Sequence, residues 1–524
     1  MIFLLSSGCS QFPVFGSLIM KVRNLSAVLI AGFIALITPA AAGPDVDVAD
    51  AWIRHAMKEY GVPGAGVVII FDGKPLLVRG YGVRDLLDSE SAVDADTLFQ
   101  LASVSKTFTS AAAAVAVDRK KLRWDQPVVE LIPNLELSAE YPTRHVTVID
   151  FLVHRAGFPG FFGDLFDHLG FTRPEVIARL REIVPAYSFR NHPEYSNIGF
   201  FLAGETAAAA LENSYEEVVQ KHLLDPLGMT RTVVSSQVPG RNANAARPHA
   251  LVEGELRPVP NNSSALFVAA GGYSSSANDL APYLQMLLEG GKWQGVPILS
   301  EDGVKALFQP WITSEGSFAE FPPIGPGSGF AFTPGWGAYS YNNHQVIEKG
   351  GALDGFRAIL MLVPDRRLAV GVVCNKNLTA FPEAVRAWVL QQVLGQPGEA
   401  DLQPEIAGRG AQVAAIFAKP PGPPANAAAP SREFADFVGI YESPLFGSWR
   451  VVKNEGDDVG TFPLVVFAGP AEYRGKIRRW DGNTLAVEWP IVLHFPSEMK
   501  FDFSDSTKPA VRFTFEGYEF ARSE

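Results

Sequence analysis

The sequence predicts an α+β protein: an antiparallel sheet flanked by terminal helices, a helical subdomain to one side, and a small all-β barrel-like domain after it. Three observations predict this. The periodicities along the chain run helix, strand pair, long helical middle, strands, helix. The alternating strand–helix units of a doubly wound sheet are absent. Beyond Gly395 the composition shifts, first to an Ala/Pro-rich stretch and then to short runs of two-residue alternation.

Each element has its own signal. Trp52, Ile53, Ala56, Met57 and Tyr60 recur at helical spacing within Ala49–Tyr60, and Gly61-Val62-Pro63-Gly64 ends that run. The apolar stretches Gly66–Phe71 and Pro75–Tyr81 flank Asp72-Gly73-Lys74, a hairpin signal. Helical patterns follow at Ser103–Lys120, Arg173–Ile183, Ile198–Leu211, Tyr215–Leu223 and Ala277–Leu288. Strand patterns return at Gly335–Tyr341, Gln345–Glu348, Phe356–Val363 and Leu368–Cys374, and Pro382–Leu394 reads as a closing helix. Ala414–Pro430 reads as a semi-rigid spacer. Past it, Trp449–Val452, Leu464–Phe467, Leu485–Trp489 and Arg512–Phe520 read as strands of a small closed sheet or barrel. The expected organisation is a signal peptide over 1–42, a catalytic domain over 43–398, a linker over 399–432 and a β-rich domain over 433–524.

Charge and the N-terminus bound the setting. A net charge of −12 without a Lys/Arg run disfavours nucleic-acid partners. Met20-Lys21-Val22-Arg23, the apolar Leu25–Ile37 and Ala40-Ala41-Ala42 form an export signal, with Met20 as the expected start. Its apolar core is short for a membrane span, so periplasmic delivery without a stable anchor is expected. Of two cysteines, Cys9 leaves with the signal, and Cys374 lies in an apolar run as a buried small hydrophobe.

For chemistry, elimination comes first. No Gly-x-Ser-x-Gly elbow, His-Glu-x-x-His motif, phosphate loop or dinucleotide fingerprint is present. Ser103-Val104-Ser105-Lys106 opens an Ala-rich helix, where residues three apart share a face and an amine can stand beside a hydroxyl. A helix N-terminus also offers N–H groups to an oxyanion. The spacing alone does not decide, because Ser497-Glu498-Met499-Lys500 has it too, in a strand or turn context. Tyr195-Ser196-Asn197 precedes an apolar helix and could aim a phenol and an amide into one cleft, although Tyr341-Asn342-Asn343 also matches. Lys349-Gly350-Gly351 ends a strand with glycines, which let a substrate backbone approach the strand edge.

In this order and at these intervals, Ser103-x-x-Lys106, Tyr195-x-Asn197 and Lys349-x-Gly351 resemble the penicillin-recognising serine hydrolases. The Tyr-x-Asn form is similar to class C β-lactamases, D-alanyl-D-alanine carboxypeptidases, D-aminopeptidases and related esterases. The resemblance covers about residues 45–396 and extends to Pro226-Leu227-Gly228-Met229 and Gly271-Gly272-Tyr273-Ser274. Glu433–Tyr441 resembles the opening of the lipocalin-like domain that some members carry.

The resemblance implies a β-lactamase/transpeptidase-like fold and no cofactor or metal. It implies that Ser103 is acylated and that Lys106 and Tyr195 share the proton transfers. Asn197 would hold the substrate's amide, Lys349 would lend positive charge near a substrate carboxylate, and the N–H groups of Ser103 and Ala352 would hold the oxyanion beside Gly351. A small-molecule or peptide substrate, such as one derived from peptidoglycan, is the implied partner. Gly350 departs from the lactamase pattern, where a threonine hydroxyl helps hold the carboxylate. D-amino-acid peptides and short acyl esters are therefore expected ahead of β-lactams. A slowly deacylating penicillin-binding or peptidoglycan-sensing protein is the alternative, as is a β-lactamase proper. His154 is expected to pack beneath the site. Phe161, Phe162, Phe166 and Phe171 are expected in the core or, failing that, along an acyl pocket.

Overall fold

The computed structural model describes residues 43–235, 244–252, 254–261, 266–314, 329–418, 422–429, 431–490, 496–505 and 507–523. The export signal, Cys9 and Met20 lie outside them. Helix α1 (Val46–Glu59) starts earlier than its apolar period because the Asp45 carboxylate accepts the backbone N–H groups of Asp47 and Val48. It buries Ala49, Ile53, Ala56 and Met57, one stripe at helical spacing.

The main sheet has nine antiparallel strands: β1 (Gly64–Phe71), β2 (Lys74–Asp85), β3 (Asp88–Ala92), β4 (Ile312–Thr313), β5 (Ala331–Thr333), β6 (Trp336–Tyr341), β7 (His344–Leu353), β8 (Phe356–Val363) and β9 (Leu368–Cys374). Their spatial order is β4-β5-β6-β7-β8-β9-β1-β2-β3. Strands β8 and β9 are buried throughout and β1 nearly so, which explains their continuous apolar runs. One face packs against α1 and the helix Phe381–Leu394. The other packs against α2 (Ser105–Asp118) and the helix Ala277–Leu288. Helix α2 is buried from Ser105 to Ala116, and its alanines let neighbours approach from all sides. Helix α3 (Asn197–Leu211) lies against α2 within the helical subdomain.

Three local expectations are corrected. The strand expected to end at Glu348 continues through the glycines to Leu353, because Lys349–Leu353 pair with Phe356–Leu360 on β8. The run Arg512–Phe520 is a hairpin instead of one strand. It turns at Glu516-Gly517, both with positive φ (49° and 83°), the conformation a two-residue hairpin turn requires. Within the stretch expected as linker, Gln403–Ala418 forms a helix. Ile406 is fully buried on Ala380, Ala384 and Ala387, so local helix propensity there gains a tertiary docking surface.

The C-terminal strands close into an eight-stranded antiparallel barrel, with Gly439–Ser443 bonded to Tyr518–Arg522. Its interior is filled: Tyr441, Trp449, Phe513 and Phe520 are fully buried, and the Phe513 and Phe520 rings stack at 4.4 Å. The barrel shares a core with the helical subdomain. Phe162 lies 5.2 Å from Tyr518 and Phe166 lies 5.5 Å from Phe446, ring centre to ring centre. The Val184 N–H donates to the Tyr518 hydroxyl at 2.8 Å. No helix of the described residues is long and apolar enough to cross a membrane.

Candidate active site

Ser103 sits in a single 3-10 turn, Ala102–Val104, that feeds directly into α2. Ala102 has φ of +49°, a left-handed conformation that a residue with a Cβ rarely adopts. The turn is held from outside, where the Leu101 N–H donates to the Tyr273 carbonyl at 2.8 Å and the Tyr273 N–H to Ser105 Oγ at 3.2 Å. Ser103 is half-buried, while Lys106, one helical turn on, is fully buried.

The Lys106 amine has three partners: Ser103 Oγ at 3.1 Å, Asn197 Oδ1 at 2.7 Å and the Ala270 carbonyl at 2.8 Å. Burial holds its pKa well below the ordinary lysine range, the nearby positive charge of Lys349 lowers it further, and Asp164 opposes both. Lys106 Nζ stands 4.8 Å from the ring centre of Tyr195.

Lys349 projects from β7 to the same phenol: Nζ lies 3.5 Å from the Tyr195 hydroxyl and 4.7 Å from its ring centre. Burial pushes Lys349 down to about 7. On the same face of the strand, Gly351 meets the nucleophile's turn. A Cβ there would fall 2.3 Å from the Leu101 carbonyl oxygen and 3.1 Å from the Ser103 nitrogen, so only glycine fits. Gly350, on the alternate face, has open space where a Cβ would be. Strand β6 pairs with β7 only as far as Gly337–Glu348, which leaves Lys349–Leu353, Ala352 included, paired with β8 alone in the register.

Tyr195 and Asn197 bracket Ser196, whose hydroxyl caps α3 by accepting the Gly199 N–H at 3.1 Å. His154 lies beneath them, as expected. Its Nδ1 accepts the Ser196 N–H at 3.1 Å and its ring lies 4.4 Å from that of Tyr195. Burial, then the charges of Lys349 and Lys106, hold His154 well below its usual pKa, so it is neutral, with the proton on Nε2. The decoy motifs go elsewhere. Ser497 and Lys500 lie on a barrel strand, where residues three apart face opposite sides. Tyr341 and Asn342 bond to Glu399 at a hairpin remote from the cleft.

Ser103, Lys106, Tyr195, Asn197 and Lys349 thus form one connected group, although they come from three distant parts of the chain. Phe162, Phe166 and Phe171 are buried between subdomain and barrel, whereas Phe161 is exposed, with its ring 5.2 Å from Tyr195. Sequence reasoning missed Asp164. Its carboxylate accepts from Asn197 Nδ2 at 2.9 and 3.0 Å, and burial pushes its pKa up to about 7. The available signal was an acid set inside the aromatic run Phe161-Phe162-Gly163-Asp164-Leu165-Phe166. The Ala270 carbonyl carried no signal, since any residue supplies one.

Comparison with known proteins supplies the family and the fold. The Beta-lactamase family model matches residues 49–395. An unguisins hydrolase of Aspergillus violaceofuscus is 25% identical over 77% of this chain and 76% of its own. A second, from Aspergillus campestris, is 27% identical over 62% of this chain, and the match spans only 60% of that protein. A β-lactamase of Pseudomonas fluorescens is 26% identical over 66% of this chain and 97% of its own. Among solved structures, the octameric penicillin-binding protein homologue from Pyrococcus abyssi superposes with a TM-score of 0.60 at 22% identity, covering 91% of this chain and all of that one. A class C β-lactamase superposes at 0.55 and 24% identity over 68% of this chain and 97% of its own. At these identities the superpositions establish the fold, barrel included for the first.

Proposed function

Since the chain belongs to the β-lactamase family of serine hydrolases, we propose that it is an exported enzyme that cleaves an amide or ester through an acyl-enzyme on Ser103. D-amino-acid peptides and short acyl esters are preferred over β-lactams. The observation that carries this reading is the 3.1 Å approach of the Lys106 amine to Ser103 Oγ in a fully buried setting.

Neutral Lys106 has two N–H bonds and one lone pair. The two shorter contacts, to Asn197 Oδ1 and the Ala270 carbonyl, can only accept and take the two hydrogens. The lone pair then faces the Ser103 hydroxyl. As Oγ bonds to the substrate carbonyl carbon, the hydroxyl proton passes to Lys106 and the carbonyl π electrons move onto oxygen, toward the N–H groups of Ser103 and Ala352. Collapse of the oxyanion breaks the bond to the leaving amine or alcohol, which takes its proton from the Lys106–Tyr195 pair. Water then attacks the ester carbonyl and gives a proton to that pair, which passes it to Ser103 Oγ as the acyl C–O bond breaks, freeing the serine and the acid product.

Lys349, with Nζ 3.5 Å from the Tyr195 hydroxyl, can donate to that oxygen during these transfers and offers charge to a substrate carboxylate. The preference against β-lactams follows from Gly350, which brings no hydroxyl to the open face of β7. Similarity to an unguisins hydrolase supports a hydrolytic reaction, and the Leu25–Ile37 signal supports export.

A hydrolysis panel tests the reading: p-nitrophenyl esters, D-Ala-D-Ala peptides, D-aminoacyl amides and a chromogenic cephalosporin, each with the parent enzyme and Ser103→Ala. Turnover that disappears in Ser103→Ala supports it. Turnover that survives the substitution refutes it.

A further inference from the structure

We propose that Asp164 is a positioning residue that sets which way the Asn197 amide faces and thereby aims the lone pair of Lys106 at Ser103. This rests on the acyl-enzyme reading above. An asparagine amide can be turned over about its last bond, exchanging its oxygen and its NH2 group. With the oxygen toward Lys106, an amine hydrogen is held and the lone pair stays on Ser103. With the NH2 group toward Lys106, the amide would donate to that lone pair and the base would be occupied.

Nothing on Lys106 itself chooses between the two, because an amine both donates and accepts. Ionised Asp164 only accepts. Both its oxygens lie within hydrogen-bond distance of Asn197 Nδ2, so the turned-over amide would set its oxygen against a carboxylate. The relay runs from Asp164 to Asn197, to Lys106, to Ser103, through contacts of 2.9, 2.7 and 3.1 Å.

The relay also carries charge. Asp164 faces Lys106 from across the cleft floor, Asp167 from its own segment, and Glu516 from the tip of the barrel hairpin. Lys106 in turn faces Lys349 and Asp164. The Asp164 carboxylate favours protonated Lys106, and removing that charge releases the proton more readily. Glu516 opposes ionisation of Asp164, so the barrel reaches the base through this one carboxylate.

The test uses the full chain, a p-nitrophenyl ester, and Asp164→Asn and Asp164→Leu with melting curves as the folding control. Both substitutions are expected to lower kcat by about 100-fold, the cost of a misaligned group, with little change in KM. The acid limb of the pH profile in Asp164→Asn is expected to move to lower pH by about 1 unit. A purely structural role would leave that limb in place. Folded variants with parent-like kcat and an unmoved limb would overturn the proposal.

If both variants melt below the assay temperature, Glu516→Gln answers instead. Without its charge Asp164 stays ionised, and the amide stays aimed, further into acid, so the limb should move to lower pH, and an unmoved limb overturns the proposal. Ser103→Ala in parallel separates the two readings. Activity retained there sinks the acyl-enzyme, whereas activity lost there with parent-like Asp164 variants sinks only the relay.

Discussion

Ser103 is half-buried and reachable, while the groups that act on it are held in the protein behind it. That division fixes what single substitutions at the site should do. Lys106 and Lys349 are both held below the ordinary lysine range, Lys349 at about 7. The rate of ester cleavage should therefore rise with pH below the ordinary lysine range, as Lys106 sheds its proton and Asp164, pushed up to about 7, ionises. A pH profile of kcat/KM that stays flat from 6 to 8, on a substrate without titratable groups, would contradict this.

The same depression has a stability consequence. Between about 7 and the unfolded lysine value of about 10.4, the unfolded chain binds a proton that the folded cleft rejects, so stability rises with pH across that window. Lys349→Met should remove this cost. A gain of about 1–2 kcal/mol by denaturant titration at pH 7 is expected, together with loss of activity. Two adjacent glycines should behave oppositely. Gly350→Thr places its side chain in open space, so the protein should fold as before and gain acylation by a cephalosporin, read by a chromogenic assay. Gly351→Ala drives a methyl into the Leu101 carbonyl and should displace the Ser103 turn, with activity falling at least about tenfold.

Elements were legible where their cause was local. The periodic α1, the apolar strands β8 and β9, and the Ala-rich α2 each announce themselves within a dozen residues. Departures arose where a partner element decides. Strand β7 runs on through Gly350-Gly351 because β8 supplies its hydrogen bonds, and no property of two glycines favours a strand. The helix Gln403–Ala418 persists in an Ala/Pro-rich region because Ile406 finds Ala380, Ala384 and Ala387. Ile406→Ala should cost about 2–4 kcal/mol, measured by denaturant unfolding. A cost near zero would return that segment to the status of a spacer.

Over the whole molecule, the catalytic region and the barrel are not independent beads. Phe162 and Phe166 belong to the same apolar cluster as Phe446, Trp449 and Phe515. Calorimetry of Gly43–Glu524 should accordingly give one main transition, and Phe446→Ala should lower it for ester-cleaving activity and barrel fluorescence alike. Two well-separated transitions would show the shared core to be energetically negligible. The barrel interior is filled by Tyr441, Trp449, Phe513 and Phe520, and its contacts with the catalytic region lie at Phe446, Tyr518 and the Glu516 hairpin.

The sequence by itself determined the chemical types and their order: a serine and lysine one helical turn apart, a tyrosine and asparagine at a helix start, a lysine and glycine on a strand. These are short-range facts, because a turn of helix or two residues of strand suffice to state them. It also determined the layer architecture, since burial on one face or two leaves a readable period. Only the tertiary structure decided that the three motifs share a cleft and that Asn197 turns its oxygen to Lys106. The same holds for the approach of the Glu516 hairpin of the barrel to Asp164. Those outcomes depend on desolvation and on hydrogen-bond partners 91 to 164 residues away, and no local pattern records them.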